Sequence, residues 1–179
     1  MSNQEPKAEA MVDYPYPQTQ PPIRNASALE WSEVVKLLTN PEGTIWLSTV
    51  SDEAQVHTTP VGAFFVNGTY YFTSGQGTRK RANLDKNPSC TICLHAGSYD
   101  IVAEGTASIT RDEAKVQQLA AFCQSVGWAV EARGGTLDAP FHAPTTGPAP
   151  YDVFEITMRK VFVLGITDEG TSHCTRFTF

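Results

Sequence analysis

The segment Tyr71–Asn87, YFTSGQGTRKRANLDKN, holds the densest chemistry in the chain. A strand-like run ends, small residues turn, and Thr78, Arg79, Lys80 and Arg81 open what reads as a short basic helix over Thr78–Asp85, which Pro88 stops. A phosphate needs what such a segment offers. The first N–H groups of a helix have no partner within the helix, and the helix dipole places positive charge there. Ser74 and Thr78 add hydroxyl donors, while Arg79 and Lys80 add charge-assisted hydrogen bonds. The chain is acidic overall, with 13 Lys and Arg against 19 Asp and Glu and a net charge of −6. Three consecutive cations are therefore conspicuous, although composition alone leaves open a plain solvated helix face.

Other reactive side chains carry less. His57 precedes Thr58 and Thr59; it either places a proton or orients a substrate, or it is a strand-end histidine bonded to water or backbone, the simpler account. Cys90-Thr91-Ile92-Cys93 has C-x-x-C spacing, but residues three apart on a strand face opposite ways, so the thiols diverge. No second Cys/His pair with zinc spacing follows, and no metal site is expected. Glu104, in AEGTA, reads as an exposed strand carboxylate. The chain has no G-x-S-x-G, no P-loop and no G-x-G-x-x-G. No catalytic acid or base stands out.

These residues must be positioned by short strands. Thr44–Val50 (TIWLSTV), Val61–Val66 and Tyr70–Thr73 are rich in β-branched and aromatic residues, and Asn67-Gly68 between the last two is the strongest short hairpin signal. Ser74–Gly77 closes that hairpin's second strand. Cys90–His95, Asp100–Ile109, Tyr151–Leu164 and Cys174–Phe179 read as further strands. Ser27 with Glu30, and Thr110 with Glu113, have capping-box spacing; the first opens a helix through Trp31, Val34, Val35 and Leu38, the second one through Val116, Leu119, Ala120 and Cys123. Gly134–Pro150 is a loop long enough to suspect a functional role. Six or seven strands with few helices favour a mainly β fold, a small closed or half-open antiparallel barrel.

Residues 1–26 hold five of the twelve prolines and read as a disordered or extended tail; 27–179 form the folded domain. The acidic balance argues against nucleic-acid binding. No apolar run is long enough to span a bilayer, and the N-terminus lacks a signal-peptide core, so a cytoplasmic protein is expected. The four scattered cysteines are expected to be reduced thiols.

FTSGQGTRKRANLDKNPS, preceded by STVSDEAQVHTTPVGAFFVNGTYYF and followed at the C-terminus by TRFTF, resembles the pyridoxamine 5′-phosphate oxidase-like superfamily of flavin-binding split β-barrels. The similarity runs from about Leu29 to Phe179. It implies that Arg79 and Lys80 grip the phosphate of FMN with Thr73, Ser74 and Thr78 in support. It also implies that Thr58, Thr59, Pro60 and Val61 lie along the flavin ring, and that the protein is a homodimer with cofactor sites at the interface. Trp128, Phe141 and Arg176 are candidates for the second subunit's share. The function so implied is an FMN-dependent oxidoreductase acting on a small molecule. Two alternatives stay open: a deazaflavin-dependent reductase, whose acidic coenzyme tail Arg79, Lys80, Arg81 and Lys86 could serve, and a non-catalytic flavin- or haem-binding protein. Pyridoxamine 5′-phosphate oxidation itself is not expected, because TRFTF departs from that enzyme's ending.

Overall fold

Asn67 and Gly68 both take positive φ, 50° and 80°, which is the geometry of the two-residue turn that matches strand twist. They join strands β4 (Ala63–Val66) and β5 (Thr69–Gly75), which pair antiparallel with Phe65 opposite Tyr70 and Ala63 opposite Phe72. The computed structural model describes residues 5–11, 27–140, 142, 144–165 and 173–179. The remaining strands are β1 (Lys7–Ala10), β2 (Glu42–Val50), β3 (Val56–Val61), β6 (Ser89–Ala96), β7 (Tyr99–Thr110), β8 (Glu131–Arg133), β9 (Thr136–Asp138), β10 (Tyr151–Gly165) and β11 (Thr175–Thr178). Three helices, α1 (Trp31–Thr39), α2 (Arg79–Lys86) and α3 (Glu113–Ser125), accompany them. The main hydrogen-bonded order is β1-β11-β10-β7-β6-β2-β3, with β4, β5, β8 and β9 joined off that path. The fold is mainly β and antiparallel, as a split β-barrel requires.

Several expectations need correction. The apolar run expected over Val61–Val66 is two strands, β3 and β4, interrupted at Gly62. Strand β3 takes in the polar Val56–Pro60, which carry no clean hydrophobic alternation. Both capping boxes move. Helix α1 is capped by Glu30 with Glu33 in return, while the Ser27 hydroxyl bonds His173 Nδ1 at 3.0 Å. Helix α3 is capped by Asp112, whose carboxylate accepts from the Ala114 and Lys115 amides; Thr110 Oγ1 instead accepts from the Asp112 amide. A carboxylate near a helix start gains from the dipole as well as from the hydrogen bond. The loop expected over Gly134–Pro150 begins with the β8–β9 hairpin turned by Gly134 and Gly135, both at positive φ, and its irregular part starts after Asp138. Within residues 1–26, expected to be a disordered or extended tail, Lys7–Ala10 are extended and pair with β11, and Glu9 meets Arg176 at 2.6 Å, so this part of the expectation needs no change.

The chain divides into two compact units. The first comprises residues 1–45, 92–104 and 158–179. Its apolar contacts gather around α1, where Val34 and Leu38 are buried and the Trp31 ring lies 5.1 Å from Phe177 and from Phe179. The second comprises Trp46–Thr91 and Gly105–Thr157. In it β5 pairs with both β4 and the first half of β10, Tyr151 opposite Gly75 and Phe154 opposite Phe72. Val116, Leu119, Ala120 and Cys123 on one face of α3 pack with Tyr71, Leu137, Tyr151 and Val153. Burial of this kind contributes about 25 cal/mol per Å² of apolar surface and holds β5 and β10 in fixed register. Among the described residues no helix is long and apolar enough to cross a membrane.

Candidate phosphate site

Strand β5 delivers Thr73, Ser74 and Gly75 in buried positions, and the chain then turns through Gln76 and Gly77 into α2. Thr78 is the cap of that helix: it is extended, with φ −85° and ψ 152°, and its Oγ1 accepts from the Arg81 amide at 3.4 Å. The same hydroxyl reaches the Gly75 carbonyl at 3.1 Å and the Ser74 Oγ at 2.5 Å. Ser74 and Thr78 therefore lock the turn that leads into the helix, in addition to offering oxygens there.

The three consecutive cations have three different fates, because successive helix residues point about 100° apart. Arg79 is exposed, and among the described residues its guanidinium has no hydrogen-bond or ion-pair partner. Lys80 is buried, at 2% exposure, and its ammonium donates to the Thr145 carbonyl. Burial pushes its pKa below the ordinary lysine value. Arg81 turns to Asp85 on its own helix and to Asp152 on β10, its Nε lying 2.8 Å from Asp152 Oδ2. Asp152 is 1% exposed and takes a second cation, Arg111, at 2.6 Å, while Arg111 also donates to the Gly135 carbonyl at 3.3 Å. Arg81 is thus a structural cation that fixes α2 on β10. Lys86 lies 3.8 Å from Asp52 at the surface.

Strand β3 meets the same site through the loop after β9. The Thr145 hydroxyl donates to the Pro60 carbonyl at 3.2 Å, so Thr145 touches both Pro60 and Lys80. Of the expected ring-facing residues, Thr58 is exposed with its hydroxyl 2.9 Å from Ser48 Oγ, Thr59 is buried, and Pro60 and Val61 are half-buried. His57 is half-buried on the same strand; its Nδ1 is enclosed and has no hydrogen-bond partner among the described residues. Burial and then the positive charges of Arg79 and Lys80 hold its pKa below the usual histidine value, so it is neutral at pH 7. Thr58–Val61, Thr73, Ser74, Thr78, Arg79 and Lys80 all fall in the second unit.

Two of the three residues expected as the second subunit's share are described, Trp128 and Arg176. Trp128 stacks on Phe64 with centroids 6.3 Å apart, within the apolar cluster under α3. Arg176 is paired with Glu9. Phe141 lies outside the described residues. Cys90 and Cys93 fall on the alternating buried and half-buried sides of β6, as strand geometry requires, and Glu104 is half-buried. A surface hollow of about 540 Å³ opens between α3 and the β8–β9 hairpin, lined by Gln124, Val130, Glu131, Asp138 and Pro140 among others. None of the expected phosphate ligands lines it.

Sequence reasoning missed Asp152, Arg111 and Thr145. Asp152 had one legible signal, a lone carboxylate beginning the apolar run Tyr151–Ile156. Thr145 had none, because a contact made by a backbone carbonyl leaves no trace in residue type.

A family model described as pyridoxamine 5′-phosphate oxidase matches residues 32–165. The chain belongs to the pyridoxamine 5′-phosphate oxidase family. No curated protein matches it in sequence. Solved structures do match in fold. A NimC/NimA family protein from Clostridium acetobutylicum aligns with TM-score 0.58 at 14% identity, covering 83% of this chain and 90% of its own. A putative pyridoxamine 5′-phosphate oxidase from Listeria innocua aligns with TM-score 0.55 at 15% identity, covering 74% and 96%. A conserved hypothetical protein from Mycobacterium tuberculosis aligns with TM-score 0.60 at 16% identity, covering 82% and 91%. At these identities the likeness is one of fold, the split β-barrel of the pyridoxamine 5′-phosphate oxidase family, to which Ser74–Lys80 contribute one strand end, one turn and one helix start.

Proposed function

We propose that the turn from Ser74 to Lys80 holds the phosphate of a flavin-type cofactor, FMN, and that the protein is an FMN-dependent oxidoreductase acting on a small molecule. One observation carries this reading: a lysine ammonium is kept buried at the start of a helix with an exposed arginine beside it, and among the described residues no carboxylate forms an ion pair with either. An ammonium has three donors, and among the described residues Lys80 has one hydrogen-bond partner, the Thr145 carbonyl. A buried cation so poorly compensated is costly unless an anion joins it. The donor set suits a phosphate: Lys80 and Arg79 supply charge, the first amides of α2 supply N–H groups, and the enclosed His57 Nδ1 adds a group able to donate in one tautomer.

When bound, FMN would supply the hydride or electron transfer, and the chain would supply position and electrostatics. Thr58–Val61 would face the ring edge. Trp46 on β2 and Val56 on β3 are large apolar side chains left 45% and 69% exposed, which supports a homodimer as the working assembly. The deazaflavin reading is weaker on one specific count. Two of the four cations that could serve an acidic tail, Arg81 and Lys86, already face carboxylates.

Titration of the purified protein with FMN, followed by flavin fluorescence, tests the reading. Lys80→Ala is expected to weaken binding by about 1.5–3 kcal/mol, the range for losing a hydrogen bond to a charged group. Unchanged affinity in Lys80→Ala, or no binding of FMN by the native chain, would refute it.

A further inference from the structure

The loop segment Thr145-Thr146-Gly147 lies directly on the phosphate turn. The Thr146 carbonyl accepts from the Gly75 amide at 2.7 Å, and the Thr145 carbonyl accepts from the Lys80 ammonium. The fit is close. A Cβ on Gly75 would come within 2.7 Å of the Thr146 oxygen and 2.8 Å of the Pro148 oxygen, and a Cβ on Gly147 within 3.3 Å of Thr78 Cγ2. Two carbonyl oxygens therefore occupy two donors of the turn, with Lys80 only 2% exposed beneath them.

A carbonyl oxygen and a phosphate oxygen are both acceptors, the first with a partial and the second with a formal negative charge, so they compete for the same N–H groups. With the loop seated, Lys80 is 2% exposed and its ammonium donates to the Thr145 carbonyl. The seated arrangement is also not a good one for lysine, which is stripped of water and given one neutral acceptor in exchange. We infer that Thr145–Gly147 is a displaceable internal cover, whose carbonyls stand in for phosphate oxygens and leave when a phosphomonoester binds. This inference rests on the phosphate reading above and adds its regulation: affinity is set by the difference between ligand and cover, and loosening the cover strengthens binding.

Two substitutions loosen the cover without touching a donor. Gly147 has φ +72°, so Gly147→Ala penalises the seated loop by left-handed strain besides the contact with Thr78. Thr145→Val removes the hydroxyl bond to Pro60 and leaves the carbonyl in place; Thr145 is exposed, so this variant folds even if the first does not. Binding of FMN and, separately, of inorganic phosphate is measured by calorimetry, and hydrogen exchange is followed over the peptide 142–150 of the native chain. Expected are tighter binding by about fivefold to thirtyfold in Gly147→Ala, by about twofold to fivefold in Thr145→Val, and faster exchange of the peptide when ligand is added. Equal or weaker binding in the variants, or slower exchange on binding, overturns the cover and shows a loop that closes on its ligand. Tighter phosphate binding by the variants with no FMN binding at all keeps the cover and removes the flavin. Failure of both ligands to bind any form refutes site and cover together.

Discussion

Asp152 offers a direct test of how α2 is fixed. Its carboxylate is 1% exposed and lies between Arg81 and Arg111, at 2.8 and 2.6 Å. Asp152→Asn keeps the volume and one acceptor and removes the charge. Taking one partner from a buried ion pair costs about 3–5 kcal/mol, because the opposite charge is left uncompensated. Here the cost is reduced on both sides. The Arg111 side chain is 50% exposed and can turn to water, and Arg81, at 19%, keeps Asp85. We therefore expect about 2–3 kcal/mol. For a chain of this size each kcal/mol moves the midpoint by about 2–4 °C, which gives a fall of about 4–12 °C.

The assay is thermal and urea unfolding of both forms at neutral pH, monitored by circular dichroism. A double-mutant cycle with Arg111→Gln separates the ion pair from the shape of the site: in the Asp152→Asn background, Arg111→Gln should cost much less than it does alone. A midpoint within about 2 °C of the native one would show that the triad is only as strong as a surface pair, and the account of Arg81 as a structural cation would then fail. So would additive single and double variants.

Two further outcomes follow from the same geometry. Burial lowers the Lys80 pKa from 10.5 in the free site, whereas a bound phosphate would favour the charged form. FMN affinity should therefore be full below that lowered pKa and decline as pH rises through it, before 10.5 is reached. A series of titrations at increasing pH checks this. In Lys80→Arg, whose guanidinium does not titrate in this range, the decline should vanish; its persistence would assign it to another group. Gly68 sits at φ +80° with open space around its Cα, so Gly68→Ala should cost about 1–2 kcal/mol in urea unfolding purely through backbone strain, and no loss would contradict the turn geometry.

How much of this was legible in the sequence depends on the range of the interactions involved. Asn67-Gly68 placed a hairpin without ambiguity, because the type I′ two-residue turn needs positive φ at both positions and Asn followed by Gly is the pair that adopts it most readily. Thr78 announced the start of α2 for a similar local reason. The polar Val56–Pro60 concealed a strand, because β3 ends the sheet's strand order and has no strand on its far side along that order to impose hydrophobic alternation. Ser27 and Thr110 carried the expected capping spacing, yet Glu30 and Asp112 cap the helices. The competing carboxylates sat two or three residues later, and a helix start chooses among neighbouring candidates by tertiary fit.

The candidate site shows the limit most clearly. Arg79, Lys80 and Arg81 are indistinguishable as a run of cations, and the sequence assigned the first two to phosphate while leaving the third available to a longer acidic coenzyme. What separates them lies far along the chain: Asp152, 71 residues away, takes Arg81, and the carbonyl of Thr145, 65 residues away, takes Lys80. The first partner is an ionisable residue that a substitution can delete. The second is backbone, present at every position and removable at none, so it can be tested only by moving the loop that carries it. That is why Gly147 and Thr145, rather than any cation, decide whether the phosphate turn is an open site or a covered one.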